Sequence, residues 1–256
     1  MNRQPKPWSV TNLDIAAPLA PHAWLRYDLV KRTMPGGVSR VLEIGCGRGG
    51  FGARLAQRYD YVGIEPDAAS YAVARERISA VGAGEVRNIA SGTLGDETFD
   101  LVCAFEVLEH IENDETAVKE WASRVRPGGW LLLSVPADQY RYGTWDELAG
   151  HYRRYDPTDL TKLLANCGLT DIVVRRYGYP LGFLLEAVRN ALGRRRLTRA
   201  AYSADARTAA SGRTIQPGGG SPVGLVIRWG TAPFCWLQRL FPAKGTGLVV
   251  LARVSD

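Results

Sequence analysis

Ten residues, Val41-Leu42-Glu43-Ile44-Gly45-Cys46-Gly47-Arg48-Gly49-Gly50, constrain this chain more than any other stretch. An apolar run leads straight into a glycine-rich turn, the pattern of a buried strand whose end faces a ligand. Glycine suits that turn because a side chain would hold the backbone away from the ligand and disfavour the tight bend. Gly45, Gly47 and Gly50 also satisfy G-x-G-x-x-G, and Glu65 follows where a ribose-binding acid belongs. The motif alone leaves the kind of nucleotide-like cofactor open.

Three later segments narrow the choice. Tyr61-Val62-Gly63-Ile64-Glu65-Pro66-Asp67 is a second apolar strand ending in an acid. Phe99-Asp100-Leu101-Val102-Cys103-Ala104-Phe105 is a third, and Glu106-Val107-Leu108-Glu109-His110-Ile111 follows it directly. Arg126-Pro127-Gly128-Gly129 then breaks a helix ahead of Trp130-Leu131-Leu132-Leu133-Ser134-Val135-Pro136. These four pieces, in this order over residues 38 to 177, resemble the successive sheet motifs of the class I S-adenosylmethionine-dependent methyltransferases. Within that family the nearest likeness is to ubiquinone-type and other small-molecule O-methyltransferases. A nicotinamide dehydrogenase would leave the EVLEH and RPGG segments unexplained.

The alternation reads as strand 39–44, helix 49–58, strand 60–65, helix 67–81, strands 85–89 and 99–105, helix 112–125 and strand 130–136. Strands alternating with helices predict a doubly wound α/β sheet that binds its ligand at the strands' C-terminal ends. Asp156 and Pro157 open a further helix, residues 169–177 form a sixth strand, and residues 247–253 form the seventh. The resemblance implies a seven-stranded Rossmann-like sheet with its last strand antiparallel, interrupted here by a helical insertion. The expected organisation is an N-terminal helical cap over 1–36, a cofactor-binding core over 37–177, a basic insertion over 178–246 and the final strand within 247–256. The cap helix spans 16–34, by the spacing of Leu19, Ala23, Tyr27 and Val30, and relatives place it over the cofactor. Leu181 to Leu197 and Ile227 to Phe241 read as insertion helices, and Ser203 to Pro222 as a loop.

Charge separates these regions. The whole chain carries +6, but residues 178–246 hold nine arginines and Lys244 against Glu186 and Asp205, a local +8 that leaves −2 for the rest. Such a patch fits an anionic partner (a phosphorylated substrate, a membrane surface or nucleic acid) or a solvated arginine-rich helix face. Met1 to Val10 lacks an apolar signal core, and Cys46, Cys103, Cys167 and Cys235 form no C-x-x-C pair. The expected location is cytoplasmic, either free or peripheral to a membrane through 178–246.

On the cofactor side, the expected contacts are Glu43, Gly45, Cys46, Gly47, Glu65, Ser91 and Phe105. Relatives often set an Asp against the adenine; this chain has Asn88-Ile89-Ala90-Ser91-Gly92 there, which makes Ser91 the substitute. On the acceptor side, Glu106, Glu109 and His110 would share a face if EVLEH opened the following helix. With His151 they compose a candidate divalent-metal set, for Mg²⁺ or for a transition ion. In the relatives that resemblance points to, a metal holds the acceptor hydroxyls. Alternatively the set is a metal-free polar network in which His151 is the general base, beside Glu106 and His110. His22 has no partner that the sequence identifies. Tyr, Trp and Arg crowd the loop from Asp138 to Tyr155, which suits a sugar, a planar ring or simple packing. The expected activity is O-methylation of a small hydroxylated acceptor: a glycan, a lipid-linked molecule or a quinone-like ring. Methylation of an RNA 2′-hydroxyl and non-catalytic cofactor binding are the alternatives, although the core carries no separate RNA-binding module.

Overall fold

The apolar runs read from the sequence become strands of one sheet. In the computed structural model, which describes residues 19–82, 84–197 and 222–255, these are β1 (Arg40–Ile44), β2 (Asp60–Ile64), β3 (Glu85–Arg87), β4 (Phe99–Phe105), β5 (Val125–Pro136), β6 (Leu169–Gly178) and β7 (Gly245–Val254). Their order across the sheet is β3-β2-β1-β4-β5-β7-β6. The first five pair in parallel, while β7 runs antiparallel between β5 and β6. This is the seven-stranded doubly wound α/β sheet that the motifs imply, with β7 reversed.

Side chains alternate between two buried clusters, one on each face of the sheet. Val41, Leu101, Cys103 and Phe105 join the face under the N-terminal helix. Leu42, Val102 and Ala104 point to the opposite cluster, around Trp121 and Leu160. All seven positions of β4 are buried, as expected of a central parallel strand covered on both sides. The alternation puts the odd-numbered residues of β1, and those of β4 from Leu101 on, Glu43 and Phe105 among them, on the face that the cavity described below opens from.

The helices are α1 (Pro21–Thr33), α2 (Gly52–Leu55), α3 (Ala68–Ala80), α4 (Asp114–Ser123), α5 (Thr144–Ala149), α6 (Pro157–Asn166), α7 (Leu181–Leu197) and α8 (Pro222–Leu237). Asp67 caps α3 by accepting from the Ser70 N–H at 2.9 Å, and Asn113 caps α4 through Thr116 N–H at 3.1 Å. Asp156 occupies the N-cap of α6 without a side-chain bond, and Pro157 supplies the preset first turn.

Several elements differ from the sequence reading. The cap helix starts at Pro21, not Ala16, since proline is favoured in a first turn; residues 16–18 lie outside the described residues. Helix α2 has a single turn, because Gly49 at φ 74° belongs to the preceding bend. β5 starts at Val125, before the RPGG segment, and its pairing with β4 jumps from Phe99↔Val125 to Leu101↔Trp130 around those residues. The 138–155 loop contains α5, ended by Gly150 in the left-handed region at φ 77°. In the insertion α7 falls where expected, and the second helix begins five residues early, at Pro222. The loop read over 203–222 lies outside the described residues up to Ser221.

Candidate active site

A cavity of about 270 Å³ opens at the C-terminal ends of β1, β4 and β5. Its floor is the glycine turn with Glu43, Phe51 and Phe105. Its roof comes from α1 (His22, Ala23, Arg26), from α5 and the residues after it (Trp145, Asp146, His151, Arg154), and from α7 (Glu186, Arg189).

The floor follows from local backbone geometry. Gly45 sits at φ 65°, and a Cβ there would stand 2.8 Å from Val107 Cγ2. The Gly47 N–H donates to Glu65 Oε2 at 2.8 Å, and the Asp67 N–H donates to Oε1 at 2.9 Å. Glu65 thus ties the β1 turn to the end of β2, although it does not line the cavity itself. Burial raises its carboxyl and the two N–H donors pull against that rise. Glu43 is buried and accepts from the Tyr61 hydroxyl at 2.7 Å. Burial pushes it up to about 8, against the Tyr61 hydrogen bond. Cys46 and Phe105 line the same floor, the Phe105 ring 4.8 Å from Phe51. Ser91 lies in a one-turn 3₁₀ helix (Ser91–Thr93) away from the cavity wall. The Asn88 amide beside it donates to the carbonyls of Glu65 and Pro66.

The EVLEH segment does not open a helix. Glu106 takes the left-handed region at φ 58°, Leu108–His110 makes one 3₁₀ turn, and α4 begins only at Asp114. Glu106 therefore does not share a face with Glu109 and His110. Its carboxylate accepts from Ser134 Oγ and Tyr177 OH, both at 3.1 Å, and pairs with Arg26 at 3.2 Å. Burial would raise its pKa, but Arg26 above all draws it down to about 2.

The structure does bring together Glu109, His110 and His151, one ligand atom from each lying within 4.8 Å of the others. A main-chain bond, Tyr152 N–H to the Glu109 carbonyl at 2.8 Å, fastens the His151 loop to this turn. The two imidazoles meet edge to face with centroids 4.6 Å apart. Glu109 is fully buried, and among the described residues neither carboxylate oxygen has a hydrogen-bond partner beyond its own residue's backbone N–H. Burial, then repulsion from Glu106, raises its pKa well above the carboxylate range. Burial, then His151, lowers His110 to about 4, so its ring is neutral near pH 7.

His151 is held from behind. Its Nδ1 lies 2.8 Å from Asp146 Oδ1, leaving Nε2 as the ring nitrogen open to other partners. Asp146 also takes Arg154 through Nε at 2.9 Å and Nη2 at 2.8 Å, and accepts from the Gly143 N–H at 2.9 Å. Burial works to raise the Asp146 pKa, but the His151 and Arg154 bonds bring it down to about 2. Arg154 and Arg141 then grip Glu186 of α7, at 3.0 and 3.1 Å. A charged chain therefore links the insertion to His151. Sequence reading missed Asp146 and Glu186, two acids in helices that a linear motif does not flag. It also left His22 unassigned: the ring lies 3.3 Å from Thr246 Oγ1 and edge-on to Tyr177, and burial lowers it to about 3.

Three arginines line the cavity. Arg26 pairs with Glu106, and Arg154 with Asp146 and Glu186. Arg189 is half-buried beside the Trp145 ring, with no carboxylate within 4 Å among the described residues.

A family model for a methyltransferase domain matches residues 8–174. An uncharacterized methyltransferase of Mycobacterium bovis is 33% identical over 128 residues, 48% of this chain and 65% of that protein. The chain thus spans under two thirds of that relative. A ubiquinone biosynthesis O-methyltransferase of Idiomarina loihiensis is 30% identical over 57% of this chain and 68% of its own. Among solved structures, a possible histamine N-methyltransferase of Thermotoga maritima superposes with a TM-score of 0.55 at 18% identity, covering 91% of this chain and 89% of that one. Phosphoethanolamine N-methyltransferase 2 of Haemonchus contortus, bound to S-adenosylmethionine, gives 0.56 at 17% identity over 92% and 56%. At such identities these structures share the fold.

Proposed function

Since the chain belongs to the S-adenosylmethionine-dependent methyltransferase family, we propose that its cavity methylates a hydroxyl of a small acidic acceptor held beside Glu109, His110 and His151. The transfer breaks the methyl carbon–sulfur bond, returns that electron pair to sulfur as a neutral thioether, and forms a carbon–oxygen bond. The acceptor hydroxyl proton must leave, and positioning accounts for most of the remaining barrier.

The observation that carries this reading is Glu109, whose two oxygens are buried close to two imidazoles and find no partner beyond their own residue's N–H among the described residues. Buried polar groups are normally satisfied, so an unpartnered carboxylate points to a missing ligand. One carboxylate and two imidazoles suit a divalent transition ion better than Mg²⁺, which prefers an all-oxygen set. Glu109, His110 and His151 would hold such an ion, while Glu106 stays with Arg26. When bound, it would lower the pKa of the acceptor hydroxyl. Asp146 fixes the His151 ring so that Nε2 faces the acceptor, whether it serves as ligand or as proton acceptor. The glycine turn, Glu43, Cys46 and Phe105 hold the cofactor, and Glu65 fixes that turn through the Gly47 N–H. Arg189, the cavity arginine without an acidic partner among the described residues, is suited to an acceptor carboxylate or phosphate.

Calorimetric titration of Mn²⁺, Zn²⁺ and Mg²⁺ into the adenosylhomocysteine complex tests the ligand set. Saturable Mn²⁺ or Zn²⁺ binding that Glu109→Gln abolishes, with cofactor affinity kept, is the expected result. Cofactor binding with no uptake of any ion would remove the metal and leave His151 as the base. In the same preparation, 3,4-dihydroxybenzoate should be methylated faster than catechol, and Arg189→Gln should erase that preference. Methylation confined to amine acceptors would overturn the hydroxyl assignment.

A further inference from the structure

Helix α8 has two faces of different kinds. Its inner face is anchored: Phe234 and Cys235 pack on the core, and Thr231 is buried. Just beyond its end, the Gln238 amide donates to the Leu25 carbonyl and to Asp28 of α1, and accepts from the Gly178 N–H. The outer face is apolar throughout. From Gly224 to the helix end, the exposed residues are Leu225, Val226, Trp229, Gly230, Ala232, Pro233 and Trp236, with no charge among them. Trp229 is 71% exposed and Trp236 is 61% exposed. Leu240 and Phe241 extend the apolar surface past the helix, and both are exposed.

An aqueous face is not normally built this way, since a large contiguous apolar patch marks an interaction site. The charges beside it identify the partner. Arg239 and Arg32 both pair with Asp28, and Asp28, Arg58 and Arg239 are the charges acting on Lys31. Four basic groups thus gather round a single acid where α1 meets the end of α8. Tryptophan on the outer face with arginine and lysine at its edge is the composition of a helix lying in a membrane interface. No described helix is long and apolar enough to cross a bilayer, so α8 would lie on the surface.

We propose that α8 and the turn after it form a membrane-contact face that lays the protein on a bilayer carrying anionic headgroups. The proposal is independent of the chemistry assigned to the cavity. Because α1 packs on α8 and also roofs the cavity, contact would bring the cavity close to the lipid surface.

Co-sedimentation of the full chain with vesicles provides the test, comparing phosphatidylcholine alone with phosphatidylcholine plus phosphatidylglycerol. Binding to the anionic vesicles that weakens with added salt is expected. The double variant Trp229→Ser/Trp236→Ser should lose about ten-fold or more of that affinity while binding adenosylhomocysteine as before, which shows that it is folded. Failure of the parent chain to bind anionic vesicles overturns the proposal. Sedimentation velocity then tests for another occupant: a dimer that the double variant dissociates means a second copy. Equal binding by parent and double variant also overturns it, because arginine adsorption alone would then suffice.

Discussion

The two walls of the cavity are built on different principles. The floor proposed to hold the cofactor, with its supporting acid, runs from Glu43 to Glu65 and is local: one strand end, one glycine turn and one acid accepting two backbone N–H groups. The wall proposed to face the acceptor is assembled over long sequence distances. It joins Glu109 to Tyr152 through the main chain, His151 to Asp146, Asp146 to Arg154, and Arg154 to Glu186 on α7. The floor needs residue types in a fixed order, whereas the wall needs tertiary structure to make charged side chains meet. Substitutions should therefore separate binding of the cofactor from turnover.

The largest effect is expected from Asp146→Asn. An amide can hold His151 in the wrong tautomer, and Arg154 loses half of its ionic environment. On the order of a hundred-fold loss in kcat is expected, by analogy with other carboxylate–imidazole pairs, with the adenosylhomocysteine Kd unchanged. An equal loss in cofactor affinity would show that the two walls are not separate. As a positioning residue, Asp146 should also change the pH profile of kcat when replaced. Glu65→Gln is the converse experiment. It weakens two charge-assisted hydrogen bonds to the Gly47 and Asp67 N–H groups, worth about 1.5–3 kcal/mol each in favourable settings. Roughly ten-fold weaker cofactor binding should result, with kcat at saturating cofactor nearly unaltered. If kcat fell in step with affinity, the floor would be shaping the transition state as well.

The same contrast explains what could be read from the sequence. The strands of the sheet and the glycine turn were legible because each is encoded by a contiguous run, whereas the reversal of β7 came only from the resemblance. The glycines at 45 and 47 stand where the backbone turns left-handed, and Glu65 ends an apolar strand where a carboxylate has no packing role. The EVLEH-plus-His151 set was legible in composition but not in geometry. Helical spacing put Glu106 beside Glu109 and His110, yet Glu106 takes a left-handed bend and turns its carboxylate to Arg26 on α1. That pairing spans eighty residues and leaves no local signature. Asp146 and Glu186 were illegible for the same reason, since an acid in a helix reads as surface until its partner is known. The outer face of α8 lay in between. Its apolar content was visible, but its exposure depends on how α8 seats against α1.

Two buried carboxylates, one in each wall, sharpen the comparison to a single measurable quantity. Asp146 meets Arg154 and His151 and is held down to about 2, so its ionised form stabilises the fold above that range. Among the described residues Glu43 is hydrogen-bonded by the neutral Tyr61 hydroxyl alone, and burial raises it to about 8 against that bond and the more distant Arg26 charge. Between pH 4.5 and 8 the folded chain therefore keeps a proton on Glu43 that the unfolded chain has released. The folded state binds more protons, so this group makes stability fall as pH rises through that window, by at most about 1.4 kcal/mol per pH unit. Below pH 4.5 both states are protonated and the slope from this group vanishes; above 8 both are ionised and it vanishes again. Glu43→Gln imitates the protonated form at every pH. Urea unfolding of the cofactor-free protein at pH 5.5, 6.5 and 7.5 should give a parent-minus-variant difference that grows more negative as pH rises. A difference that stays constant across the three would mean that Glu43 is already ionised in the fold. The floor would then rest on a charge, as the acceptor wall does.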